Sequence, residues 1–299
     1  PLNSWLDLNG DKEMIEGAYV TNRQSLERFS CSFDREELRR FLSILQERLD
    51  AAAELEVSNF QQLNQPDEEF ENNKTLLRSG FKVRPTLTGQ NGQQLYGSLD
   101  EIFDSPNFPE AVRSIYVNSE IYLKARYNYT VRNSFEMFLD FSRPEIFDFT
   151  LMPSDRTPNG SNVKVNGSDA TWVNGVFHEI QQYINDHKAQ APWLHRHTIY
   201  DILLWFIGYP IAFWVCFKVA PFLPHSAGPF LRAALFVYLF VITLVGFRAL
   251  FHYSRWVFPA VEYRHPRSNP LRHRIILGAL SFSLIASVVY DILKGLIAN

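Results

Sequence analysis

Three long apolar stretches close the chain and set its organisation. Uncharged residues run from 202 to 217, from 233 to 247 and from 275 to 290. At about 1.5 Å per residue each run covers about 24 Å, less than a hydrocarbon core of about 30 Å, so a buried helical bundle is the alternative. Flanking lysines, arginines and aromatic side chains lengthen such runs by snorkelling and by lying at the interface. The pattern therefore favours three transmembrane helices in a domain at 198–299.

A second pattern, near the N-terminus, predicts an amphipathic helix. Asp34 and Glu37 have the spacing of a capping box, and apolar residues then recur three and four positions apart. The predicted apolar face consists of Leu38, Phe41, Leu42, Leu45, Leu49, Ala52 and Leu55. We expect residues 1–60 to form an N-terminal helical segment built around this helix.

Residues 61–190 favour strands and one further helix. Extended segments are predicted at 81–87, 94–96, 114–122, 127–131, 135–141, 146–151 and 163–165. The first two flank a hairpin turn at 89–92, and Ser98 and Glu101 have capping spacing before a short helix. A last helix is predicted to begin at Ser168 or Asp169. The fold class expected is an α+β domain, with a mostly antiparallel sheet and packed helices, followed by the three-helix transmembrane domain.

Charge is distributed unevenly along the chain and predicts its orientation. Residues 1–197 hold 29 acidic and 20 basic residues, a net charge of −9, whereas residues 198–299 hold 3 and 9, a net charge of +6. The connection 248–274 holds six arginines, and the positive-inside rule places such a connection in the cytoplasm. The α+β domain would then be cytoplasmic and the C-terminus would lie across an inner or plasma membrane.

Two further observations agree with a cytoplasmic domain. The only cysteines, Cys31 and Cys216, lie in different halves, which is typical of a reducing compartment. We also expect no signal peptide, because the first residues carry no basic-then-apolar leader. The acidic character of residues 1–197 argues against a nucleic-acid partner.

Standard catalytic and cofactor motifs are absent from the sequence, so we expect neither a cofactor nor a metal, and a non-enzymatic protein is favoured. His195 and His197, beside the first apolar run, could bind a metal or a phosphate headgroup, but a hydrated interfacial anchor is the commoner role.

A turn-rich loop at 153–161 is the one place where catalysis can be considered. The candidates for a general base are the carboxylates around it, Asp148, Asp155 and Asp169. Asn159 and Ser161 within the loop are candidates for contacting a ligand. The alternative is a solvated connecting loop with no function of its own.

Basic and hydroxyl residues in the second half suggest binding or packing roles. Arg248, His252 and Arg255 share one face if the second span continues as a helix. Together with Arg264 and Arg267, they are predicted to bind lipid headgroups or an acidic partner surface. Ser283 and Ser287 share one face of the third span and could line a pore or allow close helix packing.

Three functions remain open at this point. The first is a membrane protein whose cytosolic α+β domain recognises a partner or ligand and couples it to the anchor, as a subunit of an oligomer or larger complex. The second is a pore-forming or membrane-disrupting effector or channel, gated by the cytosolic domain. The third is a membrane-proximal hydrolase or transferase. The expected partners are membrane lipid and either another protein or a second copy of the chain.

Overall fold

The computed structural model describes residues 21–62, 66–146, 152–222, 228–265 and 270–297. The chain divides into two compact units. The first, which we call the α+β unit, comprises residues 1–142, 159–188 and 261–266. The second, which we call the membrane unit, comprises residues 143–158, 189–260 and 267–299.

The α+β unit is built on an antiparallel sheet. Its elements are β1 (Asn22–Glu27), β2 (Cys31–Phe33), α1 (Arg35–Ser58), α2 (Asp67–Gly80), β3 (Thr86–Gly89), β4 (Gln94–Tyr96), α3 (Leu99–Phe103), β5 (Val112–Asn118), α4 (Ile121–Tyr127), β6 (Asn133–Asp140), β7 (Asn162–Gly167), α5 (Ala170–Asp186) and β8 (Val261–Tyr263). Six strands pair in the order β1-β7-β6-β5-β3-β4, all antiparallel. Buried side chains of α1 and α5 share one core with the strands, which confirms the α+β prediction.

Helix α1 follows its sequence signals closely. Asp34 and Glu37 form a reciprocal capping box, and every predicted apolar position from Leu38 to Ala52 is buried. Leu55 is the exception, because it is 37% exposed while Glu56 is 3% exposed. A period of 3.6 residues places position 56 on the buried face and position 55 roughly 100° away from it.

The strands differ from the prediction in three places. The predicted strand 114–122 ends at Asn118, whose side-chain Oδ1 accepts the backbone N–H groups of Glu120 (2.9 Å) and Ile121 (3.2 Å) and so turns the chain into α4. The predicted strand 127–131 is absent, and the predicted strand 81–87 begins only at Thr86. Most of the predicted strand 146–151 lies outside the described residues.

The first 60 residues are not purely helical where the structure describes them. Strand β1 is an outer strand of the main sheet, and β2 pairs in parallel with β8. Both strands precede α1 and belong with it to the α+β unit, which also includes residues 61–142.

Strand β8 comes from the connection between the second and third apolar helices. Cys31, Ser32 and Phe33 of β2 stand in register with Val261, Glu262 and Tyr263 of β8. The Arg264 N–H donates to the Phe33 carbonyl at 2.7 Å and extends this pairing. A segment from the membrane half of the sequence is thereby part of the α+β unit.

The membrane unit contains three helices long and apolar enough to cross a membrane. Its elements are a 3₁₀ turn (Pro192–His195), α6 (Ile199–Leu203), a π-helical turn (Leu204–Gly208), α7 (Tyr209–Val219), α8 (Pro229–Val257) and α9 (Pro270–Ile297). The three spans are Ile199–Phe222, Pro229–Val257 and Arg272–Asp291, of 24, 29 and 20 residues. These lengths resolve the difficulty of the short uncharged runs, because the helices continue through the flanking charged and aromatic residues.

Candidate functional site

One face of the main sheet is a candidate recognition surface. Along β6 and β7, buried side chains alternate with half-buried ones, so the helices cover one side of the sheet. We call the other side the open face. It is formed by Arg23, Ser25 and Glu27 of β1, Asn162, Lys164 and Asn166 of β7, Ser134, Glu136, Phe138 and Asp140 of β6, Ser114, Tyr116 and Asn118 of β5, Thr86 and Thr88 of β3, and Gln94 and Tyr96 of β4.

The centre of the open face is an aromatic and polar network. The Tyr116 hydroxyl donates to Glu136 Oε1 at 3.1 Å and accepts from Asn118 Nδ2 at 3.2 Å. Lys164 Nζ lies 3.5 Å from Glu136 Oε2, and Phe138 stands directly opposite Tyr116 in the strand register. Burial, with a further effect from Glu136, raises the pKa of Tyr116, so its hydroxyl stays protonated at neutral pH. Such a surface can stack on a ligand and both donate and accept hydrogen bonds.

Asn159 and Ser161 hold their loop against strand β6. Asn159 Nδ2 donates to the Asp140 carbonyl at 2.8 Å, and Ser161 Oγ accepts the Asp140 N–H at 2.8 Å. Gly160 between them lies against the open face, where a Cβ would stand 3.2 Å from the Phe138 ring. Asn159 and Ser161, the two candidates for contacting a ligand, therefore both hydrogen-bond to the backbone of Asp140. Their loop borders the open face at Phe138.

The three carboxylates proposed for catalysis have different surroundings. Asp169 caps α5, where its Oδ1 accepts the backbone N–H groups of Thr171 (2.8 Å) and Trp172 (3.3 Å). Asp155 belongs to the membrane unit, and its Oδ1 lies 3.8 Å from His197 Nε2 at the surface. Asp148 lies outside the described residues.

A buried polar cluster occupies the membrane unit near the end of the second span. Arg255 is 1% exposed, and its guanidinium donates to the carbonyls of Leu194 (3.2 Å) and Asp155 (2.8 Å). The guanidinium carbon also lies 4.5 Å from the centre of the Phe251 ring. Helix α8 continues past the apolar run, as a shared face requires, but Arg255 donates its N–H groups to carbonyls inside the membrane unit. It presents no surface to a headgroup.

His195 belongs to the same cluster. Its Nε2 lies 2.6 Å from the Phe258 carbonyl, which can only accept, so Nε2 carries the proton and Nδ1 accepts from Thr157 Oγ1 at 2.8 Å. His195 is 9% exposed, and burial lowers its pKa to about 4. This residue is therefore a neutral, buried histidine, unlike the hydrated anchor expected from the sequence.

The remaining basic residues have different surroundings. Arg264 forms an ion pair with Glu37 at the start of α1, and this hydrogen bond raises the pKa of Arg264. Arg248 and His252 lie on α8, and His252 is 4% exposed. Arg267 lies outside the described residues.

The spans expose apolar surface, and one polar contact joins two of their helices. In the second and third spans, none of the most apolar 18-residue window is buried. Lys218 Nζ lies 2.7 Å from Asp291 Oδ1, and Trp214 Nε1 donates to Asp291 Oδ2 at 2.9 Å, which ties α7 to α9. Ser283 and Ser287 are exposed on α9.

The sequence analysis did not identify the buried carboxylate of Glu56. Its carboxylate accepts from the Tyr129 hydroxyl at 2.6 Å and from the backbone N–H of Arg132 at 3.2 Å. Burial and this carboxylate raise the pKa of Tyr129. The position of Glu56, four residues after Ala52 and seven after Leu49 on the buried face, was the available signal.

These features define a class, an α+β unit joined to three helices able to span a membrane. The chain matches no family model, no curated protein and no solved structure. Among the residues that the structure describes, no group of three histidines, cysteines, aspartates or glutamates could hold a metal ion.

Proposed function

We propose that the protein is a membrane-anchored recognition subunit. Its α+β unit binds a partner or ligand at the open face, on the cytosolic side, and this binding acts on the three spans. The observation that carries the proposal is β8, because this strand joins the two spans on either side of it to the α+β unit.

The chain segment between β8 and the second span is short. Only residues 258–260 separate the end of α8 at Val257 from the start of β8 at Val261. Three extended residues cover about 10 Å, so β8 cannot shift far without moving the end of α8. A rearrangement of β2 or α1 on binding would be transmitted along this path.

Strand β8 is held firmly enough to transmit such a movement. Val261 is fully buried and Glu262 is 3% exposed, so the strand is part of the interior of the α+β unit. The Arg264 side chain adds its ion pair with Glu37, which is itself part of the capping box of α1. These contacts support coupling between the recognition unit and the anchor.

The same pairing supports the proposed orientation. Because β8 pairs with β2, the connection between the second and third spans and the α+β unit would share one side of the membrane. That connection contains the arginine-rich segment, and the positive-inside rule favours the cytosol for it. The C-terminus would then lie on the opposite side.

The recognition step is tested by reversing one charge on the open face. The full chain is purified from its native membranes in mild detergent as wild type, as Lys164→Glu and as the control Lys82→Glu, an exposed position outside the sheet with the same charge change. Mass spectrometry identifies what travels with each particle. We expect a partner to co-purify with wild type and with Lys82→Glu. With Lys164→Glu the amount of that partner should fall at least about tenfold, because a repulsion between like charges would replace the contact of Lys164 with Glu136.

Two results would contradict the proposal. One is an identical set of co-purifying molecules for all three proteins, which would remove the open face from recognition. The other is turnover of a metabolite by the purified protein that Asp155→Ala abolishes without loss of folding, which would support the hydrolase or transferase hypothesis instead.

A pore is the second candidate, and the exposed Ser283 and Ser287 on the third span favour it. Hydroxyls on one face of a span can line a water-filled path when several copies assemble. Dye release from liposomes that depends on both serines would support this function, and tight vesicles at high protein loading would oppose it.

A further inference from the structure

Strand β1 forms the outer edge of the main sheet. It is six residues long, and among the described residues it pairs with β7 alone. Within the described ranges, no backbone hydrogen bond and no strand reaches its other side. An edge of this length without proline or a bulge is a ready template for another strand. The opposite edge, β4, has only three residues and is less suited to pairing.

The side chains of β1 are self-complementary. Arg23, Ser25 and Glu27 are exposed and project from the open face, with Ser25 midway between the two charges. In the described part of the chain neither Arg23 nor Glu27 takes part in an ion pair. If two copies of β1 pair antiparallel about Ser25, each Arg23 stands directly opposite Glu27 of the second copy. Opposite charges in directly facing positions stabilise a strand pair.

We propose that a second copy of this chain pairs with β1, edge to edge, about a two-fold axis through Ser25. The axis is perpendicular to the sheet, so the two open faces join into one continuous surface and the helices of both copies lie on the other side. Arg28, which has a positive φ of 59°, ends the strand and limits the pairing to residues 22–27. This inference goes beyond the proposed function and rests only on the expectation, drawn from the sequence, that the chain is a subunit of an oligomer or larger complex.

The register is tested by a disulfide at Ser25. In an antiparallel pair about this residue, the two Cα atoms would stand about 4.5–5.5 Å apart, within the range that a disulfide spans. Ser25→Cys is oxidised in native membranes, where Cys31 and Cys216 are both buried and give little background. Ser134→Cys, two strands inward on the same face, is the control, because about 4.8 Å per strand separates its copies by more than 20 Å.

The charge pairing is tested by exchanging the charges of Arg23 and Glu27. Arg23→Glu and Glu27→Arg each place two like-charged pairs across the interface, and we expect each to raise the dimer dissociation constant at least about tenfold. The double variant restores the opposite charges, and we expect its dissociation constant to return to within about threefold of the wild-type value. Native mass spectrometry of the detergent particle measures the dimer fraction, and the unfolding midpoint shows that the variants fold.

The expected result is a covalent dimer with Ser25→Cys, none with Ser134→Cys, and rescue in the double variant. A monomeric particle without the Ser25 cross-link, a cross-link from Ser25 to a different protein, or a dimer that neither single reversal weakens would overturn the proposal. The cross-link and the charge exchange report self-pairing, whereas the Lys164→Glu comparison reports which other molecules co-purify, so failure of self-pairing and failure of recognition can be told apart.

Discussion

The burial of His195 predicts that the stability of the folded protein depends measurably on pH. In the folded protein its pKa is about 4, mainly because of burial, with the positive charge of Arg255 acting in the same direction. The ordinary value is 6.5. As the pH falls through 6.5 the unfolded chain takes up a proton at this site and the folded chain does not. The stabilisation is therefore complete above pH 6.5, declines between 6.5 and about 4, and is lost below that.

The size of the effect follows from the difference between the two pKa values of His195, 6.5 in the unfolded chain and about 4 in the folded protein. At 1.36 kcal/mol per pKa unit, this difference corresponds to about 3 kcal/mol of unfolding free energy. His195→Gln removes the titration and keeps a side-chain N–H that can donate to the Phe258 carbonyl. Between pH 7.5 and pH 4, wild type should therefore lose about 3 kcal/mol more stability than this variant, which for a chain of 299 residues corresponds to roughly 5 °C in the unfolding midpoint.

The assay is thermal unfolding of the detergent-solubilised full chain at a series of pH values. Only the difference between the two proteins is interpreted, because every other titratable group is common to both. His178→Gln, at an exposed position on α5, is the control and should follow the wild-type curve. If His195→Gln loses as much stability on acidification as wild type does, the neutral buried histidine is refuted.

Two further predictions concern buried or capping carboxylates. Glu56→Ala should destabilise the protein by about 2–4 kcal/mol because the Tyr129 hydroxyl and the Arg132 N–H lose their acceptor, and Glu56→Gln should recover part of the loss in chemical denaturation. Equal midpoints for wild type and Glu56→Ala would contradict this. Asp169→Ala should cost about 1 kcal/mol through loss of the α5 cap, and Asp169→Asn should restore it, whereas a catalytic role would lose activity with both.

Local signals in the sequence predicted local structure well. The capping box of Asp34 and Glu37 and the cap at Asp169 depend on side chains and backbone groups only two or three residues apart. The apolar spacing of α1 and the presence of three apolar helices likewise depend on residues that are close together in the sequence. These features were accessible because the interacting groups are close in sequence.

Long-range pairing was the part that could not be predicted. Glu56 is tolerated on a buried face only because Tyr129 and Arg132 reach it from more than 70 residues away. Strand β8 is too short to recognise alone, and its partner β2 lies 230 residues earlier. Arg255 looked like a surface residue because the carbonyls that bind it come from Leu194 and Asp155.

The central claim is that the connection between the second and third spans lies with the α+β unit on one side of the membrane. Single cysteines at Lys82 in the α+β unit, at Arg264 in that connection and at Ser226 between the first and second spans test it most directly. Each is exposed to a membrane-impermeant maleimide in sealed vesicles of known orientation. We expect Lys82→Cys and Arg264→Cys to label from the same side, the cytosolic one, and Ser226→Cys to label from the other. Labelling of Lys82→Cys and Arg264→Cys from opposite sides would contradict it.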